Sequence, residues 1–307
     1  MSDPFLAQRP HLLNIAYRML GEMAASEDVV QEAWLRWRRV EASEVRDPRA
    51  WLSAATVRLA LDALRKLKSR RETYVGPWLP EPILPDDARA FAADAPAARA
   101  ELASDLSLAL LHMLERLSPE ERAALILHDA FDCDYAEIAA ILEKSEDACR
   151  KMVARARERV RSGRPKQRAT PEQHRDLLTR FAMAAATTDA KQLEALFAPD
   201  VVAYTDGGGR VAAALNPIHG ADKIIRFFVS LAGKYASQGG VPGVSALDIN
   251  GEPGLLLTLD GAIFAAIAIE CDSDRIAAIY AVRNPEKLGR LSLNTNKIVI
   301  PGLAAFA

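Results

Sequence analysis

Two dense groups of cations are the strongest chemical feature of this 307-residue sequence. Arg65, Lys66, Lys68, Arg70 and Arg71 are packed into one short stretch, and Arg150, Lys151, Arg155, Arg157 and Arg161 recur along another. Side chains of this type neutralise phosphates, and those near a helix start can reach base edges in a groove. Acid/base chemistry is poorly supplied by comparison. Asp206, His219, Glu270 and Asp272 are the candidates in the C-terminal third, and they show no triad or metal spacing. Cys133, Cys149 and Cys271 form no CxxC pair, which argues against zinc and suits a reducing cytoplasm. The glycines at 207–209 lack the GxxxxGK[ST] pattern of a phosphate loop. No catalysis, no cofactor and no metal are expected.

The second basic group lies on a helix-turn-helix pattern. Ser118-Pro119 with Glu121 is a capping box, Asp134 with Glu137 repeats the arrangement, and Ser145 caps a third helix. Tyr135, Ile138, Ala139 and Leu142 make the buried face of the short middle helix. Cys149, Val153, Ala156 and Val160 make that of the last, which leaves its arginines outward. A short helix, a tight turn and a longer basic helix are the parts of a groove reader.

The first basic group ends a separate helical block, residues 1–73. Its first helix stops at Gly21, and its second is capped by Ser26, with Val30, Ala33, Trp34 and Trp37 buried. Asp28, Gln31, Glu32 and Leu35 share another, acidic face with one apolar centre. A third helix begins at Asp47-Pro48, with Leu52, Ala55, Leu59 and Ala63 inward. Residues 74–98 contain Pro77, Pro80, Pro82, Pro85 and Pro96, so this linker runs extended, with Trp78 and Leu79 as apolar anchors. Residues 99–168 hold the helix-turn-helix block, opened by a helix from Arg99 to Leu117. From residue 169 to 307 the pattern becomes two helices, a strand at 201–205, a helix at 218–235, and strands at 244–249, 255–259, 262–270 and 275–282. The whole is multidomain: two all-α domains followed by an α+β domain whose antiparallel strands curve over a pocket. Net charge is only −2, so the cationic character is local, and no stretch is long and apolar enough for a membrane span.

Residues 118–157 resemble region 4 of the extracytoplasmic-function (ECF) sigma factors, and HLLNIAYRMLGEMAASEDVVQEAWLRWRR with DPRAWLSAATVRLALDALRK resembles region 2 of the same family. Glu143 replaces the usual turn Gly, and Met152 a frequent Arg. The C-terminal part resembles the cone-shaped SnoaL-like domains. Trp78-Leu79-Pro80-Glu81-Pro82, Asp206-Gly207-Gly208-Gly209-Arg210 and Asn284-Pro285-Glu286-Lys287-Leu288 resemble three motifs of an ECF subgroup that carries such a domain.

The resemblance implies a sigma factor that directs RNA polymerase to promoters and is regulated in cis by its C-terminal domain. It implies that Asp28, Gln31, Glu32 and Leu35 bind the polymerase core at the β′ clamp helices, with region 4 on the β flap. Trp51, Arg58, Arg65 and Lys66 would engage the −10 element, although Trp51 also suits a core position, and the loop from Glu41 to Arg46 would read a base. Ser145, Arg150, Lys151, Arg155 and Arg157 would engage the −35 element. Trp78, Leu79, Pro80, Asp206, Gly207, Gly208, Gly209, Arg210, Asn284, Pro285 and Lys287 would form the interdomain contact, with Arg210 able to pair with Glu81 and burial of Trp78 dominant. A cytoplasmic monomer without membrane attachment is expected, with room for a small-molecule ligand in the C-terminal pocket. The alternative is a helix-turn-helix regulator fused to a ligand-binding or catalytic SnoaL-like domain.

Overall fold

The computed structural model describes residues 4–41, 45–85, 91, 106–163, 167, 169–238 and 240–291. The chain divides into two compact units: 1–73, 86–106 and 110–164 form the first, and 74–85, 107–109 and 165–307 form the second. The tip of the expected base-reading loop (42–44), the acidic linker residues Asp86, Asp87 and Asp94, and the start of the helix expected from Arg99 lie outside the described residues.

In the first unit, α1 (Pro4–Leu20), α2 (Met23–Trp37) and α3 (Pro48–Arg71) pack together, and α4 (Leu108–Leu114, whose first two residues group with the second unit), α5 (Pro119–Phe131), α6 (Tyr135–Leu142) and α7 (Glu146–Ser162) follow. Caps set most of the boundaries. Asp47 accepts from the Ala50 N–H at 3.0 Å, both capping boxes form, and Ser145 accepts from Ala148 at 3.2 Å. Gly21, in the left-handed region at φ 68°, lets the chain leave α1.

Ser26 is not a cap. The second helix starts at Met23, and the buried Ser26 hydroxyl donates to the Glu22 carbonyl at 2.6 Å inside it. Trp34 is only half-buried, while Val29 joins Val30, Ala33 and Trp37 in the core. The inner face of α3 is also rotated from expectation. Leu52, Thr56, Val57, Ala60 and Leu64 are buried, whereas Ala55, Leu59 and Ala63 are partly exposed. The alanines and leucines are apolar on both candidate faces, so periodicity alone could not choose between them.

The second unit is α+β. Helices α8 (Pro171–Ala186) and α9 (Ala190–Leu196) precede β1 (Phe197–Asp206), β2 (Ile218–His219), α10 (Ala221–Gln238), β3 (Pro242–Ile249), β4 (Glu252–Leu259), β5 (Ala262–Asp272), β6 (Arg275–Val282) and α11 (Pro285–Leu288). The sheet order is β2-β1-β6-β5-β4-β3. Strands β3 to β6 form the expected antiparallel run, and β1 joins the sheet parallel to β6. Residues 218–219 are strand rather than helix and pair with β1. One sheet face is packed with Leu177, Phe181, Phe197, Ile224, Ile267 and Ile279. The opposite face, with Leu256, Ala268, Tyr280 and Val282, is covered by Leu79 and Leu84 of the linker and by Leu108.

Candidate functional site

Three surfaces of the first unit and one buried cluster of the second hold the residues singled out from sequence. On α2, Asp28, Gln31, Glu32 and Leu35 are all exposed, and Leu35 keeps 40% of its surface accessible, so the acidic face with an apolar centre exists as a surface. Glu32 pairs with Arg36 of its own helix, at 3.1 Å.

Helix α7 presents Arg150 and Lys151 outward in its first turns. The Arg150 guanidinium lies 5.0 Å from the Tyr135 ring centroid, and Lys151 pairs with Asp147 at 2.7 Å. Ser145 is spent on the cap. Arg155 and Arg157 are tied to the helix behind: Arg155 lies 3.5 Å from Glu121, and the Arg157 Nε donates to Asp129 at 3.1 Å. Glu121 also accepts from the Ser118 N–H and from Arg159 at 2.7 Å. Burial would raise the Glu121 carboxyl, but these donors outweigh it and hold the group below its ordinary range. Glu121 therefore caps α5 and fixes the angle of α7, a role the capping-box pattern only half disclosed. Met152 is buried, so its position contributes packing.

On α3, Trp51 is half-buried against Trp37, with ring centroids 5.5 Å apart. Lys66 is exposed. Arg58 and Arg65 are both engaged: Arg58 donates to the Ala140 and Ile141 carbonyls at 3.0 and 3.1 Å, and Arg65 pairs with Glu120 at 2.6 Å. Further along, Lys68 donates to the Leu117 carbonyl and Arg71 pairs with Glu115. Arg122, fully buried, donates to the Arg18 carbonyl at 2.9 Å and also pairs with Glu115. Burial alone would raise the Glu115 carboxyl, yet Arg122 and Arg71 together lower it. Neither Arg122 nor Glu115 stood out in the sequence, although an Arg leading directly into the apolar run AALIL was a signal.

The second unit gathers its three motifs into one buried cluster. Asp206, with no exposed surface, accepts from the Leu79 N–H at 2.9 Å, the Tyr74 hydroxyl at 2.6 Å and the Gly208 N–H at 3.1 Å. Lys287 pairs with Asp206 at 2.7 Å, donates to the Leu79 carbonyl and lies 4.0 Å from the Trp78 ring centroid. Asn284 donates to the Tyr74 hydroxyl at 2.9 Å and caps α11, where Pro285 takes the first position. Gly208 has φ 61°, and a Cβ there would collide with Asn284. Gly207 lies against Val211 and Ala213, and Gly209 against Val75.

Two expectations are corrected here. Arg210 pairs with Glu286 at 2.8 Å rather than with Glu81, because α11 brings Glu286 beside the glycine loop while Glu81 is itself buried. Leu79, at 0% exposure, is the buried anchor, and Trp78 is half-buried beneath the lysine. Tyr74 was missed, since one Tyr at the edge of a linker carries no pattern. So was the reciprocal pair in which the Ile83 N–H donates to the Asn250 side chain at 2.9 Å and the Asn250 N–H to the Ile83 carbonyl at 2.8 Å.

Among the described residues no group of three His, Cys, Asp or Glu could hold a metal ion, and no helix is long and apolar enough to cross a membrane.

Residues 5–70 match the family described as Sigma-70 region 2, and residues 107–160 match Sigma-70, region 4. ECF RNA polymerase sigma factor SigJ of Mycobacterium tuberculosis is 37% identical over 292 residues, covering 92% of this chain and 91% of that protein. Probable ECF RNA polymerase sigma factor SigI of the same species is 30% identical, covering 95% and 96%. The crystal structure of M. tuberculosis SigJ aligns with a TM-score of 0.73 at 34% identity, over 93% of this chain and 97% of that one. A region 2 block in front of the helix-turn-helix disfavours a fused repressor, which has no use for it. With both sigma regions in order and a relative matching almost from end to end, the chain belongs to the ECF RNA polymerase sigma factors, which direct RNA polymerase to promoters for transcription initiation.

Proposed function

We propose that this sigma factor is restrained in cis by its C-terminal domain, which holds the linker between regions 2 and 4. The observation that carries the reading is the Asp206–Lys287 pair closed on both backbone groups of Leu79. In the family this linker tracks through polymerase, and a segment cannot lie both there and in the cluster. Holding and release of residues 74–85 therefore regulate initiation, with no catalysis by the chain itself.

The remaining roles follow from exposure. The α2 face of Asp28, Gln31, Glu32 and Leu35 docks on the β′ clamp helices. An apolar groove between α4, α5 and α7, floored by Leu110, Leu114, Leu125, Ile126 and Val160, fits the β flap. Arg150 and Lys151 contact the −35 element, with Arg155 and Arg157 set to share phosphate contacts once they leave Glu121 and Asp129. Trp51, Arg58, Arg65 and Lys66 serve the −10 element. The protein is a cytoplasmic monomer when free.

The test is reconstituted transcription with Leu79→Ala, Trp78→Ala, Gly208→Val and a chain ended at Arg168. Each variant is expected to change promoter output several-fold, with both units folded by circular dichroism in the three point variants and the first unit folded in the shortened chain. Output equal to the full-length protein in all four would make the C-terminal domain a passenger.

A further inference from the structure

The arginines of α7 are held in two different ways. Among the described residues, Arg155, Arg157, Arg159 and Arg161 each pair with a carboxylate, that of Glu121, Asp129, Glu121 and Glu158 respectively, and Arg150 pairs with none. Its guanidinium instead lies over the ring of Tyr135, the first residue of α6, 5.0 Å from the centroid. Carboxylates are close by in the sequence, since Asp134 and Glu137 flank Tyr135. Both are closed in the capping box, where Asp134 accepts from the Glu137 N–H at 2.8 Å and Glu137 from the Asp134 N–H at 2.9 Å. The ring is itself fixed. It is half-buried, and the His128 ring of α5 lies 4.7 Å from it, tilted by 49°. His128 in turn has its Nδ1 3.1 Å from Arg157. One column of side chains therefore ties α5 and α6 to two separate turns of α7.

We infer that Tyr135 is a positioning residue for promoter binding, holding the Arg150 guanidinium in place for a backbone phosphate of the −35 element. The inference deepens the assignment of α7 to that element and rests on it. An aromatic face attracts a cation without taking a hydrogen bond from it. The planar fork of Arg150 is thus fixed with its N–H donors left for a bidentate contact to phosphate, donors that a carboxylate partner would have used. Ordering a long side chain on binding costs affinity, and a side chain already ordered avoids most of that loss. Lys151 lacks such a hold, since it pairs with Asp147 of its own helix at 2.7 Å. Direction selects phosphate over base. In a helix-turn-helix the second helix enters the groove while the first crosses the backbone. Arg150 leans from α7 onto the start of α6, and so towards the strand that α6 crosses. Such contacts fix register and orientation and carry no sequence information.

The test is binding of a promoter duplex carrying the −35 element by holoenzyme reconstituted with the full-length chain, at several salt concentrations. Tyr135→Leu should weaken binding about threefold to fivefold, the size of an exposed cation–π contact, with an unchanged salt slope because the charge remains. Tyr135→Phe should restore binding. Arg150→Ala should lower the slope by about 1, and adding Tyr135→Leu to it should cost nothing further. The loss in Tyr135→Leu should be the same on duplexes with substituted −35 base pairs. A loss confined to one base pair would make Arg150 a base reader and overturn the phosphate contact. Equal losses for Tyr135→Phe and Tyr135→Leu would put the hydroxyl, not the ring, on DNA. A further loss in the Arg150→Ala background would place Tyr135 in the fold alone, and wild-type binding by Tyr135→Leu would leave it no part. Each of these three results overturns the inference. Arg150→Lys keeps the charge and the ring but not the planar fork, so it should weaken binding as Tyr135→Leu does. It decides the matter if Tyr135→Leu does not fold, wild-type affinity there refuting the inference. If Arg150→Ala changes neither affinity nor slope, the −35 assignment of Arg150 falls and the inference with it.

Discussion

Asp206 and Lys287 are a buried ion pair whose remaining valences are used on Tyr74, Leu79 and Gly208. Removing one partner strands the other, at a cost of about 3–5 kcal/mol, whereas removing both costs much less. Asp206→Asn should therefore destabilise the second unit by about 3 kcal/mol in urea titrations, and Asp206→Asn with Lys287→Met should recover most of that. Equal losses for the single and double variants would mean that the charges are not coupled.

Two histidines give each unit an acid response. His11, bonded to Ser53 at 3.0 Å, and His174 are each pushed down to about 4, chiefly by burial and then by Arg49 and Arg175 respectively. An unfolded imidazole titrates near 6.5, so below that value the unfolded state takes the proton first and stability falls as pH drops towards 4. Going from pH 7 to 5 should cost about 2 kcal/mol per histidine. His11→Gln should flatten that dependence for the first unit only, as read by denaturation at the two pH values.

At the scale of elements, the proposed reading role falls on the first turns of α7, while its later arginines bind Glu121 and Asp129. Arg150→Ala with Lys151→Ala should lower the slope of log affinity against log salt for −35 DNA by about 2. Glu121→Gln should instead weaken the fold of the block, since it removes the charge that holds Arg159 and Arg155 and leaves one oxygen where two now accept. The caps at Asp47, Ser118, Asp134 and Ser145 were legible in the sequence because each is settled within four residues. Ser26 misled because a hydroxyl inside a helix satisfies itself on the i−4 carbonyl as readily as it caps. The parallel pairing of β1 with β6 was illegible, because its register joins residues such as Ala203 and Ile279 that only the assembled sheet brings together. In the linker cluster the motif residues were readable by resemblance, but their chemistry was not: that Arg210 takes Glu286 depends on where α11 begins.

At the scale of the molecule, the linker residues 74–85 belong to the second unit although they precede half of the first. A chain ended at Arg168 loses the sheet that covers Leu79 and Leu84 and should be cut by protease in that segment far faster than the full-length protein. Equal cutting would place the linker's order elsewhere.

The same threading sets a timetable for the newborn protein. Leu79 leaves the ribosome 208 residues before Lys287, and at 5–20 residues per second that interval is about 10–40 s. Both sigma blocks are complete by residue 164, well before the clasp can close. Under the proposed restraint, each molecule passes through an interval in which both sigma blocks exist and the clasp does not. A nascent sigma factor meets polymerase on different terms from a finished one, and the length of the C-terminal domain sets how long that difference lasts.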